Sequence, residues 1–130
     1  MAIKAYSKTK DGSKKLSANF KVSEFSCKDG SDPVFIDTEL IDVLQLLRNH
    51  YKKAVSIVSG YRTPSYNKQC GGATYSQHLY GKGADVKISG VKPEDVAKFM
   101  ETILKDKGGI GIYSTFTHID VRTTKSRWRG

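Results

Sequence analysis

The sequence predicts a small single-domain α+β fold: an antiparallel sheet of about four strands with two main helices packed on it. Three observations carry this expectation. Two stretches place apolar residues at helical spacing, whereas several short ones alternate or are β-branched. The 130 residues suffice for one core and not two. The balance of 38% hydrophobic and 27% charged residues is that of an ordinary globular domain.

The elements follow in chain order. Residues 1–19 are rich in lysine and serine, and are expected to form a basic arm or irregular edge outside the core, ahead of a folded domain over 20–130. Val22 to Phe25 reads as a short extended piece, and Lys28 to Pro33 as a loop, from its turn residues. Asp37 is placed to cap a helix in which Leu40, Ile41, Leu44, Leu47 and Tyr51 form the apolar stripe. Ala54 to Val58 is β-branched and alternating, a strand that Ser59 to Pro64 ends. Ser65 to Gln69 suits one or two helical turns, broken by the glycines after Cys70. Ala84 to Ile88 is a second strand. Pro93 suits the first turn of a second long helix, striped by Val96, Phe99, Met100, Ile103 and Leu104 and stopped at Gly108-Gly109. Ile110 to Tyr113 and Thr117 to Arg122 complete the sheet as an antiparallel hairpin turning at 114–116.

Composition narrows the functional classes. The formal net charge of +9 favours an anionic partner: nucleic acid, anionic lipid or anionic wall polymer. Nucleic acid is disfavoured, because no recognition-helix pattern or aromatic-interleaved basic strand occurs. No apolar run approaches a membrane span, and the N-terminal residues lack the apolar core of a signal peptide. A monomer made in the cytoplasm is expected. Cys27 and Cys70 form no CxxC motif and are expected to be free thiols.

Two of the three histidines sit near aspartates. His78 precedes Asp85 by seven positions, with Gly81 and Gly83 letting the loop turn and approach closely. His118, Asp120 and Arg122 alternate along the last strand, so they share one face at an edge while Ile119 and Val121 point to the core. Neutral imidazole and carboxylate are zinc ligands, and a catalytic zinc keeps three protein ligands. His78, Asp85 and one of His118 and Asp120 make that set. His50, near the end of the first long helix, suits a surface cation there.

These segments resemble the M15 peptidases, zinc enzymes that cut peptidoglycan as D-Ala-D-Ala carboxypeptidases or endopeptidases and share their metal fold with the hedgehog signalling domain. The Ser-x-His-x-x-Gly-x-Ala-x-Asp pattern of that family is matched by Ser76, His78, Gly81 and Asp85, with Gly83 in the alanine position. Ser59-Gly60-Tyr61-Arg62-Thr63-Pro64, followed by Asn67, looks like its SGYR segment. Gly109 to Tyr113, leading to His118-Ile119-Asp120, looks like its closing strand pair. The resemblance runs from about residue 20 to 128.

It implies a hedgehog-like fold and zinc held by His78, Asp85 and His118. Asp120 then takes a proton from water, and Arg62 steadies an oxyanion or a substrate carboxylate. Many relatives close the site with His-x-His, so the alternative is that Asp120 binds the metal and His118 stands behind it. Ser76, Gln77 and Tyr61 are expected to support ligands or substrate. The implied substrate is the stem peptide of peptidoglycan, cut by carboxypeptidase or endopeptidase action, with release to the wall in the manner of a phage lysin. Thr115 stands where other relatives carry an acid, which leaves a zinc-binding module without catalysis as the rival.

Overall fold

The computed structural model describes residues 2–130. The chain runs β1 (Ile3–Ser7), α1 (Lys8–Asp11), β2 (Lys15–Ser17), β3 (Phe20–Lys21), β4 (Pro33–Asp37) and α2 (Thr38–Tyr51). It continues with β5 (Val55–Ser59), α3 (Pro64–Gln69), β6 (Gly83–Ile88), α4 (Pro93–Leu104), β7 (Gly109–Ile112), β8 (Thr117–Asp120) and β9 (Ser126–Arg129). Short 3₁₀ helices occupy Val22–Phe25 and Gln77–Tyr80.

The two long helices form where the apolar period places them. Asp37 caps α2, accepting the Glu39 N–H at 2.8 Å. The buried face of α2 is Leu40, Leu44 and Leu47; that of α4 is Val96, Met100 and Leu104. Both pack with Val86, Ile110 and Ile119 of the sheet in one core. Thr117 ties the layers together, its buried hydroxyl donating to the Pro93 carbonyl at 3.0 Å. The helix stops at Leu104, ahead of the glycines, because Lys105 turns to φ 56°.

The sheet is larger than expected. Five strands run in the order β5-β6-β8-β7-β9. The fifth, β9, pairs parallel with β7, so the sheet is mixed rather than purely antiparallel. β9 was not legible because Ser-Arg-Trp-Arg has no hydrophobic alternation. β8, expected at an edge, lies between β6 and β7.

The N-terminal segment is regular where an irregular arm was expected. β1 pairs antiparallel with β4, and β2 with β3. None of residues 2–19 is buried, although Tyr6 and Leu16 pack against the core. Val22 to Phe25 is a 3₁₀ turn rather than extended, because i and i+3 eclipse there and send Val22 and Phe25 into the core together.

Candidate metal centre

Strand register builds the centre. One row crosses all five strands of the large sheet: Ser59, Asp85, His118, Gly111 and Trp128. A second row, two residues along, holds Gly83, Asp120, Gly109 and Ser126. Residues i and i+2 of a strand share a face, so both rows lie on the side away from Ile119. A bulge in β5 sets the first row's end. Ile57 pairs with Val86 and Ser59 with Asp85, so the extra residue Val58 shifts Ser59 onto this face.

The glycines of β7 make room for the rows. A Cβ on Gly109 would enter the Asp120 carboxylate, and one on Gly111 would enter the Trp128 indole. Gly83 is similarly tight: a methyl there would meet His118 Cε1 at 3.1 Å and Gln77 Cβ at 3.2 Å.

His78 reaches the rows from outside the sheet. Its loop is not open but coiled into the 3₁₀ turn Gln77–Tyr80, capped by the Ser76 hydroxyl, which accepts the His78 N–H at 3.3 Å. Gly81 ends the turn at φ 70°, where a side chain would strike the Phe35 carbonyl of β4. His78 Nδ1 lies 2.7 Å from the Gly60 carbonyl. That carbonyl only accepts, so Nδ1 carries the proton and donates, leaving the Nε2 lone pair free to bind a metal. Nε2 faces Asp85 Oδ1 at 3.3 Å.

His118 is held on both nitrogens, with Nδ1 2.9 Å from Asp85 Oδ1 and Nε2 2.8 Å from Asp120 Oδ2. One ligand atom from each of His78, Asp85 and His118 falls in a group spanning no more than 4.8 Å, and all three residues are buried. Two imidazoles and one carboxylate form a zinc donor set. Each imidazole is braced at its far nitrogen, by a carbonyl for His78 and a carboxylate for His118, as metal-binding histidines usually are. The residues present therefore fit a zinc ion.

Burial favours neutral carboxyls here, but hydrogen bonds outweigh it. The hydrogen bond from His118 leads in holding Asp85 well below the ordinary carboxylate range. Asp120 is depressed in the same way by His118 and Arg122. Burial disfavours the charged form of His118, yet its bonds to Asp120 and Asp85 raise it overall.

The donor set opens on a cleft of about 420 Å³. Ser76 and Gln77 line it. So do Arg62 and Arg122, and an aromatic wall of Tyr113, Phe116 and Trp128. Arg62 is more committed than its sequence position suggests. It donates to Ser59 Oγ at 3.0 Å, Asn67 Oδ1 at 3.2 Å and Asp85 Oδ2 at 3.3 Å. Asn67 in turn donates to the Ala73 carbonyl, tying α3 to the ligand loop.

Tyr61 is not brought to the cleft. It is 9% exposed and packs edge-on against Phe35, with ring centroids 5.3 Å apart. Asp120 is fully buried and does not line the cleft either. Its Oδ1 accepts from Arg122 N–H and Nε, and its Oδ2 from Arg122 Nη2 and His118. Trp128 and Phe116 were missed from the sequence. The one available signal for Trp128 was a lone tryptophan set between arginines near the C-terminus.

A family model described as Peptidase M15 matches residues 18–120. The probable peptidoglycan L,D-endopeptidase MepK of Haemophilus influenzae is 32% identical over an alignment of 83 residues that covers 58% of this chain and 43% of that protein. The chain thus spans less than half the length of that relative.

Proposed function

Since the chain belongs to the M15 peptidase family, we propose that it is a zinc-dependent peptidase that hydrolyses peptide bonds of the peptidoglycan stem at the cell wall. The observation that carries this reading is the convergence of His78, Asp85 and His118 at the buried end of a cleft. The name of the MepK relative supports the substrate class, and the cationic chain suits an anionic wall.

His78 Nε2, Asp85 and His118 Nδ1 would hold the metal. Bound zinc supplies Lewis acidity and lowers the pKa of water toward about 7. The protein's part is to hold the donors rigid. Gly60 fixes the His78 tautomer, Arg62 holds Asp85, and Asp120 orients His118. Arg62, bonded at all three nitrogens and 13% exposed, would steady charge developing on a substrate oxygen through the one N–H that each Nη has left.

The proton of the attacking water needs an acceptor. Asp120 as that acceptor requires Arg122 and His118 to release one of its oxygens. Its buried, fully bonded position supports the orienting role instead. This observation also favours a second reading, a zinc-holding module without hydrolysis, because Asp85 is the one carboxylate among the residues lining the cleft.

Digestion of purified peptidoglycan, followed by mass analysis of the products, tests the proposal. The zinc-loaded protein is expected to release stem fragments, and the His78→Ala variant to release none. Stoichiometric zinc with no fragments would support the second reading.

A further inference from the structure

We infer that Arg122 and Trp128 form a carboxylate-binding subsite beside the metal ligands, selecting a peptide that carries a carboxylate next to the bond to be cut. The place of this subsite in the reaction rests on the peptidase reading.

The two arginines of the cleft differ in what they have left to give. Arg62 spends all three of its nitrogens on protein acceptors. Arg122 spends Nε and Nη2 on Asp120, at 2.8 and 2.6 Å. Its Nη1 has no protein hydrogen bond among the described residues, and the side chain is 28% exposed. The pairing with Asp120 fixes the fork before any ligand arrives, so binding orders little. A guanidinium edge of this kind donates to a carboxylate through two N–H groups.

Trp128 shapes the other side. The register of β7 and β9 lays its ring over Gly111, which has no side chain to lift it away. The ring centroid is 5.1 Å from that of His118 and 5.4 Å from Arg122 Cζ. The indole N–H donates to the Tyr113 hydroxyl at 2.9 Å, and Tyr113 stacks on Phe116 at 4.5 Å. The apolar face beside the free guanidinium edge suits a small methyl-bearing residue whose carboxylate reaches Arg122. Charge agrees: Arg62 and Arg122 already balance Asp85 and Asp120, so a divalent cation leaves the cleft positive.

Trp128 is the chain's sole tryptophan, so its fluorescence reports binding at this place. The test titrates the zinc-loaded chain with three probes. These are an N-acetylated D-alanyl dipeptide with a free carboxylate, its carboxamide, and an amidated γ-D-glutamyl peptide whose one carboxylate is internal. At least one carboxylate probe is expected to bind about tenfold or more tightly than the carboxamide. The first probe winning assigns a terminal carboxylate, and the third an internal one. Arg122→Gln is expected to reduce the preference below about twofold, and Arg122→Lys to restore part of it.

Equal binding of all three probes to the unmutated chain overturns the inference, and needs no variant to fold. A preference that survives in Arg122→Gln overturns it too. Stem-peptide hydrolysis without carboxylate preference would sink this subsite and leave the peptidase reading standing. Carboxylate preference without hydrolysis would do the reverse.

Discussion

Asp120 is the residue whose role the structure changes most. From the sequence it is a candidate base; in the fold it is walled in by Arg122, His118 and the space left by Gly109. The two roles separate cleanly. As the residue that orients His118, Asp120→Asn weakens zinc binding about 10- to 100-fold, measured by chelator competition. As a base, the same change would remove turnover and leave zinc affinity intact. Gly109 carries a related prediction. Gly109→Ala pushes a methyl into the Asp120 carboxylate, and overpacking of this kind costs about 1–3 kcal/mol. Thermal unfolding is expected to show that loss, and the chelator assay a weaker zinc site. An unchanged melting temperature would mean that Asp120 moves aside freely.

Among the elements, α2 and α4 were legible because their apolar residues repeat at the helical period and their starts are marked by Asp37 and Pro93. The segments of the proposed metal centre were legible because His78, Asp85 and His118 lie in short, recognisable stretches. What a sequence does not display is register. The rows that set Trp128 beside His118, and the β5 bulge that turns Ser59 toward Asp85, arise only once strands pair. β9 and β1 were missed for a simpler reason: these exposed strands bury too little to leave an alternating pattern, whereas β4 buries Val34 and Ile36 at alternate positions. Asp32 binds that N-terminal unit together. It accepts from the Thr9 N–H, the Ser7 hydroxyl and the Thr9 hydroxyl, which lower its pKa in that order. A depressed carboxylate stabilises the fold above its unfolded value of about 3.9, and the contribution disappears as pH falls through the folded value. Asp32→Asn should therefore melt below the unmutated chain at neutral pH, with a smaller gap in acid, once Asp32 is protonated. A gap of the same size at both pH values would remove Asp32 from the account.

At the scale of the molecule, a five-stranded sheet holds a polar face on which Asp85 and His118 are set by pairing, while two helices bury the other face. No helix among the described residues is long and apolar enough to cross a membrane. A metal bound only by the folded state must stabilise it, by about 2.7 kcal/mol at a free concentration one hundred times the dissociation constant. Zinc is thus expected to raise the melting temperature of the chelator-stripped chain and to leave that of His78→Ala unchanged. The most direct test of the central claim joins metal and reaction in one titration. Zinc is added back to stripped protein while fragments released from purified peptidoglycan are counted. Release should climb linearly and level off at one zinc per chain, with His78→Ala flat throughout. Full activity in the stripped protein, or undiminished release by His78→Ala, would contradict it.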